Sequence, residues 1–203
     1  MSDAVFNIGR HRIESDGKGI RTLVIFSGCP LRCKYCLNKY TWDGTGKLVL
    51  DTPEDLLKAV SVDSVYFRAT GGGITFGGGE PLLHADFISQ FIDIAPKTWN
   101  YCIETSLAVP TDVIRRVADK IHTFVVDIKS MDESIYKSYT GGDLSLAKRN
   151  LSELINLVGV DRITVRVPEI PDFANKRSQR RSVSAIRNMG ITRLDAFRYI
   201  KKS

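Results

Sequence analysis

Six short runs rich in β-branched and apolar residues recur along the chain, and amphipathic segments separate them. The runs are Leu23–Ser27, Gly73–Phe76, Asn100–Glu104, Thr123–Ile128, Arg162–Val167 and Arg193–Tyr199. Several are continuously apolar, as strands buried on both faces are. Helical signals fill the gaps. Thr52-Pro53-Glu54-Asp55 combines an N-cap, a proline at the first helical position and an acid close behind. Ala85–Ile94 follows the second run, Thr111-Asp112 caps Val113–Lys120, and Ser145 precedes Leu146–Val158. A last helix runs from about Lys176 to Met189 and stops at Gly190. Such alternation dictates a parallel sheet with right-handed crossovers. Six units are too few for a closed eight-fold barrel. The expected fold is therefore α/β, a partial (β/α)6 TIM-like barrel open on one side. It is expected as a single domain over 1–203, with 1–22 as an N-terminal extension and 23–200 as the barrel core.

In barrels of this kind chemistry sits at the C-terminal ends of the strands. The unusual residues of this chain do follow strands. Cys29 follows the first and Gly78-Gly79-Glu80-Pro81 the second. Glu104-Thr105 ends the third, Asp127-Ile128-Lys129 the fourth, and Arg166 nears the end of the fifth. Charges at the ends of buried strands are costly unless paired, so Glu104, Asp127 and Lys129 need one another, a cation or a ligand.

Cys29, Cys33 and Cys36 are spaced C-x3-C-x2-C. A loop that tight can turn three thiolates toward one point, where they can hold three irons of a cubane [4Fe–4S] cluster. The fourth iron then has no protein ligand, unlike the four-cysteine sites of ferredoxins. An open metal position is a place for chemistry. The competing readings are a zinc knuckle and a disulfide pair. Zinc loops usually add a second, distant ligand pair, and none follows here. Cys102, mid-strand in Tyr101-Cys102-Ile103, reads as a buried, inert thiol. His84 reads as a helix start, and His11 and His122 as surface residues.

Composition narrows the setting. With 203 residues, 43% hydrophobic and 26% charged, the chain can bury a sizeable core. It has no long apolar run for a membrane, and Met1 to Arg12 lacks the apolar stretch of a signal peptide. Four cysteines without an export signal point to a reducing cytoplasm. The net charge of +6 reads as scattered solvated lysines and arginines. The dense run Lys176 to Arg181 contains no aromatic residue on which a base could stack, so no nucleic-acid partner is expected.

The run Gly71-Gly72-Gly73-Ile74-Thr75-Phe76-Gly77-Gly78-Gly79-Glu80-Pro81 is the second strong signal. Glycines let backbone approach a ligand, and a carboxylate follows at once. A Gly-rich β–α turn with a capping Glu is the plainer reading. The cysteine spacing, with Tyr35 just before Cys36, resembles the radical S-adenosylmethionine (SAM) enzymes. The resemblance sharpens with Asp16-Gly17-Lys18-Gly19-Ile20-Arg21, Phe26-Ser27-Gly28-Cys29 and Tyr35-Cys36-Leu37-Asn38 ahead of the glycine run. In that order they look like the activating enzymes of glycyl radical enzymes, in particular the pyruvate formate-lyase type. The similarity runs from about Gly9 to Tyr199.

That resemblance implies roles. Cys29, Cys33 and Cys36 would ligate the [4Fe–4S] cluster, with the SAM amino and carboxylate groups on the open iron. Gly78, Gly79 and Glu80 would receive the amino group, and Tyr35 and the backbone near Asn38 would flank the adenine. Lys129 would pair with the SAM carboxylate, and Arg166 would also contact SAM. Glu104, Thr105, the Val125 carbonyl and Asp127 match a monovalent cation site, although Glu104 stands where the family type has Asp. Asp16 and Arg21 would touch the substrate loop. The implied activity is hydrogen abstraction by a 5′-deoxyadenosyl radical from a glycine of a partner glycyl radical enzyme. A flavodoxin or ferredoxin would donate the electron. Two departures stand out: the chain ends at Ser203, and Ile200 follows Tyr199 where the pyruvate formate-lyase type has histidine. They predict a wider opening and a missing contact to the SAM ribose. No cysteine-rich insert separates Cys36 from Gly71, so no auxiliary cluster is expected. The rival readings are a radical SAM enzyme acting on a small molecule (as the deazaguanine-forming enzymes do) or on a ribosomal peptide, an iron–sulfur electron carrier, and a zinc-structured domain.

Overall fold

Strands β1 (Val5–Ile13), β2 (Ile20–Phe26), β3 (Gly73–Gly78), β4 (Asn100–Thr105), β5 (Thr123–Asp127), β6 (Ile163–Glu169) and β7 (Leu194–Arg198) form one sheet in that order. The computed structural model describes residues 5–13, 17–42 and 50–200. β2 to β7 run parallel, and β1 and β7 remain the two edges, so the barrel is partial and open. β1 pairs antiparallel with β2 and corrects the reading of residues 1–22 as an extension outside the barrel. The strand escaped notice because it is a polar edge with two register shifts, and Arg10, His11 and Arg12 interrupt its apolar alternation. It is fixed by Arg10, whose guanidinium lies 2.5 Å from the buried Asp63 carboxylate, which also accepts from the Thr22 hydroxyl at 2.8 Å.

The two faces of the strands have separate tasks. Side chains alternate along a strand, so register assigns them to one face or the other. Val24, Phe26, Ile74, Phe76, Ile103, Phe124, Val126 and Val165 point outward into the core beneath the helices, and all are fully buried. The other parity carries Thr75, Cys102, Glu104, Asp127 and Arg166 into the barrel. The charged members sit toward the C-terminal ends of their strands. Cys102 is buried, as expected.

Among the described residues seven α-helices flank the sheet: α1 (Pro53–Val60), α2 (Ser64–Thr70), α3 (Ala85–Ile94), α4 (Thr111–Arg115), α5 (Glu133–Thr140), α6 (Leu144–Val158) and α7 (Lys176–Arg187). The Thr52 hydroxyl caps α1 by accepting from Asp55 N–H at 3.1 Å. α6 begins earlier than Ser145 suggested, because Asp143 is its cap and accepts from Ser145 N–H at 2.7 Å. α4 is short, and Thr111 lies inside it rather than capping it; its hydroxyl donates instead to Asn150 Oδ1 at 2.7 Å. α5 was not anticipated, although Asp132 caps it through Ser134 and Ile135. His84 occupies the N-cap position of α3 and lies 2.8 Å from the Ser27 carbonyl. His11 and His122 are exposed. Among the described residues no helix is long and apolar enough to cross a membrane.

Candidate active site

The loop after β2 is closed by Gly28 N–H donating to the Thr41 carbonyl at 2.6 Å. It is docked on the C-terminal end of α5, where Arg32 N–H donates to the Thr140 carbonyl at 2.8 Å and Lys34 N–H to the Tyr139 carbonyl at 3.1 Å. These two bonds bracket Cys33. Leu31 plugs the loop into the protein against Gly142, where an added Cβ would meet Leu31 Cδ2 at 2.3 Å. The turn that follows brings Cys36 back, with Cys36 N–H donating to the Cys33 carbonyl at 3.1 Å. All three cysteines are free and half-buried, and they line one cavity of about 290 Å³ at the C-terminal end of the sheet. The Asn38 side-chain amide latches the loop to β3 by donating to the Gly78 carbonyl at 3.1 Å. Tyr35 packs edge-on against Tyr139 and Phe173, and its hydroxyl donates to Asp172 at 2.6 Å.

Gly78 and Gly79 bring two strand ends into contact as well as facing the cavity. Gly78 has a φ of 102°, and a Cβ there would meet Ile25 Cγ2 at 2.5 Å. A Cβ at Gly79 would lie 2.1 Å from the Gly28 carbonyl oxygen. Gly79→Ala is therefore expected to push the cysteine loop off its seat and cost about 3 kcal/mol. A urea denaturation curve of the apoprotein matching wild type would contradict this.

Glu80 departs from the sequence expectation of a carboxylate facing the ligand. It is fully buried and does not line the cavity. Its Oε1 accepts from Thr105 Oγ1 at 2.7 Å and Leu82 N–H at 3.2 Å, and its Oε2 from Ser106 N–H at 2.9 Å and Ser106 Oγ at 2.6 Å. Burial pushes its pKa up, against the pull of these donors. Glu80 thus shapes the loop after β4 from one side. The buried Asn150 holds the other side through the Leu107 and Val109 carbonyls, at 2.8 and 2.7 Å. Between them Leu107 is kept at a φ of 57°, which places Thr105 and Ser106 on the cavity wall.

Opposite the cysteines stands a group of four charges. Arg166 grips Asp127 with two bonds, Nε to Oδ1 at 3.0 Å and Nη2 to Oδ2 at 3.1 Å, and reaches Glu104 Oε1 with Nη1 at 3.1 Å. Lys129 Nζ lies 3.4 Å from Asp127 Oδ1 and donates to the Tyr199 hydroxyl at 2.9 Å. Burial disfavours the Asp127 carboxylate, but Lys129 and Arg166 more than offset it and hold its pKa below the usual carboxylate range. Burial likewise opposes the charge on Lys129, and Asp127 foremost overcomes it and raises its pKa. Two carboxylates face two cations, so the group is neutral as it stands. Glu104 and Asp127, expected at a monovalent cation site, are neutralised by Arg166 and Lys129 instead.

Cys29, Cys33, Cys36, Tyr35, Asn38 and the four charged residues thus meet at one cavity, with Gly78, Gly79 and Thr105. Two expected substrate contacts do not join them. Asp16 lies outside the described residues. Arg21 is a correction: it begins β2, at the end of the barrel away from the cysteines, and is buried. There it donates to Thr75 Oγ1 at 2.6 Å and to the Ile74 and Asn100 carbonyls at 2.5 and 3.0 Å, tying three strands together. The sequence reading missed Tyr199, Tyr139, Ser106 and Trp42 on the cavity wall. Tyr199 follows its strand as the other site residues do, which was the available signal. Tyr139 rides on the unanticipated α5.

The profile of the Radical SAM superfamily matches residues 23–173. The pyruvate formate-lyase-activating enzyme of Clostridium pasteurianum is 33% identical over 183 residues, 87% of this chain and 74% of that one. The chain belongs to the pyruvate formate-lyase activating enzyme family of the radical SAM superfamily. The pyruvate formate-lyase 1-activating enzyme of Escherichia coli K12 is 36% identical over 142 residues, which is 66% of this chain and 57% of that enzyme. The 4-hydroxyphenylacetate decarboxylase activating enzyme of Clostridioides difficile is 28% identical over 78% of this chain and 69% of its own. This radical SAM chain therefore spans little more than half of the Escherichia coli relative and about three quarters of the clostridial one. Streptococcus suis SuiB, solved bound to S-adenosylmethionine, shares the fold with a TM-score of 0.68 at 14% identity, covering 89% of this chain and 41% of SuiB.

The radical SAM superfamily works with a [4Fe–4S] cluster and SAM, and the residues of this member fit both. Among its described residues no three His, Cys, Asp or Glu side chains converge tightly enough for a single metal ion. Burial pushes the Cys29 thiol up to about 12 and Cys33 to about 11. Such thiols give up their protons to a metal centre rather than to water. The cavity beyond them is apolar on the Tyr35 side and carries both charge signs on the other, which suits a nucleoside joined to an amino acid.

Proposed function

We propose that this protein generates a glycyl radical on a partner enzyme, with Cys29, Cys33 and Cys36 holding the cluster. The observation that carries the reading is the single cavity shared by three free thiols and the Glu104–Arg166–Asp127–Lys129 group. When bound, a reduced cluster and SAM supply a 5′-deoxyadenosyl radical able to take hydrogen from a C–H bond. The chain's own residues bind and orient. Lys129 and Arg166 offer charge to a ligand carboxylate, while Glu104, Asp127 and the backbone at Gly78 and Gly79 receive its ammonium. Tyr35 and the Asn38 segment form the wall for an adenine. Glu80 acts behind them, holding Thr105 and Ser106 in place.

The substrate in this reading is the Cα–H of a glycine in a loop of a glycyl radical enzyme, entering through the open side of the barrel. The relatives named as activating enzymes of pyruvate formate-lyase and of 4-hydroxyphenylacetate decarboxylase support it. A flavodoxin or ferredoxin in the cytoplasm would donate the electron. The exposed Arg32, Lys34 and Lys39 beside the cysteines suit an acidic donor, and reduction kinetics indifferent to salt would count against that. The decisive trial is anaerobic incubation with reductant, SAM and a glycyl radical enzyme. The expected result is 5′-deoxyadenosine together with a glycyl doublet in the EPR spectrum. 5′-Deoxyadenosine without a protein radical, for both kinds of partner, would move the target away from glycine.

A further inference from the structure

The hydroxyl of Tyr136 is the one buried side-chain polar atom among the described residues that finds no hydrogen-bond partner. The residue is completely buried. A stranded hydroxyl of this kind costs about 1–3 kcal/mol, so its persistence asks for an explanation. Its position supplies one. Tyr136, Tyr139 and Thr140 lie three and four residues apart on α5 and share a face. Tyr139 and Thr140 are the residues whose carbonyls clamp Lys34 and Arg32 on either side of Cys33. Cys33 itself packs against the small buried cluster of Tyr139, Ile170 and Ala174. The Tyr136 ring lies against Gly142, with its Cε1 3.5 Å from where a Cβ would be, and Leu31 of the cysteine loop presses on the same glycine. The ring therefore packs where α5 and Leu31 of the cysteine loop meet at Gly142, and its hydroxyl is buried there without a partner. Besides burial, an ionised Cys33 would raise its pKa most, ahead of Glu80, while Lys129 lowers it. Burial raises its pKa, so it stays protonated and can only be a donor to an anion.

We propose that the Tyr136 hydroxyl is a hydrogen-bond donor reserved for the sulfur of Cys33, engaged when the three cysteines ligate their cluster. This rests on the cluster reading given under Proposed function. A cysteine thiol offers the hydroxyl little, because sulfur accepts weakly while it keeps its proton. A metal-bound thiolate carries negative charge and is a better acceptor. Hydrogen bonds to cluster sulfurs stabilise the more negative, reduced state and raise the reduction potential. Tyr136 is thus a positioning and tuning residue that never touches substrate. It sets how readily the cluster accepts the electron that SAM cleavage consumes.

The test compares wild type with Tyr136→Phe, which keeps the ring and removes only the hydroxyl. Each protein is prepared without metal and, separately, reconstituted with iron and sulfide. Without metal the Phe variant is expected to be at least as stable as wild type in urea, since no bond is lost. Once reconstituted, its potential in a dithionite titration followed by EPR is expected to fall. A tenfold shift in the reduction equilibrium corresponds to about 59 mV for one electron. Incorporating 2,3,5-trifluorotyrosine at 136, a stronger donor of nearly the same shape, is expected to move the potential the other way. Equal potentials in all three proteins overturn the proposal while leaving the cluster assignment intact. A Phe variant clearly less stable than wild type without metal also overturns it, because the hydroxyl would then have a partner already. A wild-type protein that takes up no cubane sinks both the proposal and the reading beneath it.

Discussion

Cys33→Ala is expected to abolish iron–sulfur binding and, with it, all cleavage of SAM, whereas Cys102→Ala is expected to leave both unchanged. The contrast follows from position. Cys33 is held at the cavity by the flanking bonds of Arg32 and Lys34 to α5, and its neighbours Cys29 and Cys36 line the same wall. Cys102 is fully buried within β4, at a level of the barrel below Glu104. Two remaining cysteines cannot hold a cubane whose fourth iron is already without a protein ligand. The loss should therefore be complete rather than partial, and Cys29→Ala and Cys36→Ala should match it. Iron content, absorbance of the reconstituted protein and chromatographic assay of 5′-deoxyadenosine provide the readings. Full iron loading of Cys33→Ala would refute the assignment.

Arg166→Met should be among the most destabilising single changes outside the hydrophobic core. It removes the guanidinium that pairs both Glu104 and Asp127, while Lys129 still faces Asp127. Breaking a buried charge group from one side costs about 3–5 kcal/mol, and water reaching the cavity brings this site to about 3. Urea denaturation of the metal-free protein measures it. Lysine at 166 should recover little, because an ammonium cannot reproduce the two-pronged grip on Asp127. Removing the stranded charges as well, in Glu104→Gln/Asp127→Asn/Arg166→Met, should restore much of the stability but not SAM binding. If Arg166→Met unfolds at the wild-type urea concentration, the group contributes nothing to the fold. Its place in the cavity would then be its only role.

The parts of the site legible in the sequence were those written in local spacing. C-x3-C-x2-C is read off without a structure, and so are the charges that follow apolar strands. The partial barrel was legible for the same reason, because buried parallel strands are continuous apolar runs. What escaped depends on long-range partners. β1 is polar and irregular, and only its register with β2 reveals it as a strand. Arg21 and Glu80 show the limit most clearly. Each stands in a motif that suggests ligand contact, yet each is consumed by the protein, Arg21 by three strands and Glu80 by the loop after β4. Tyr136 gave no signal at all, since an orphaned hydroxyl exists only once the packing is known.

The central claim is that the thiols and the charged wall serve a single bound assembly. EPR of the reconstituted, dithionite-reduced protein, recorded anaerobically with and without SAM, addresses it most directly. The account predicts a reduced cubane signal whose g-values change on adding SAM, in wild type but much less in Lys129→Ala. A reduced cluster whose spectrum is identical with and without SAM would contradict it.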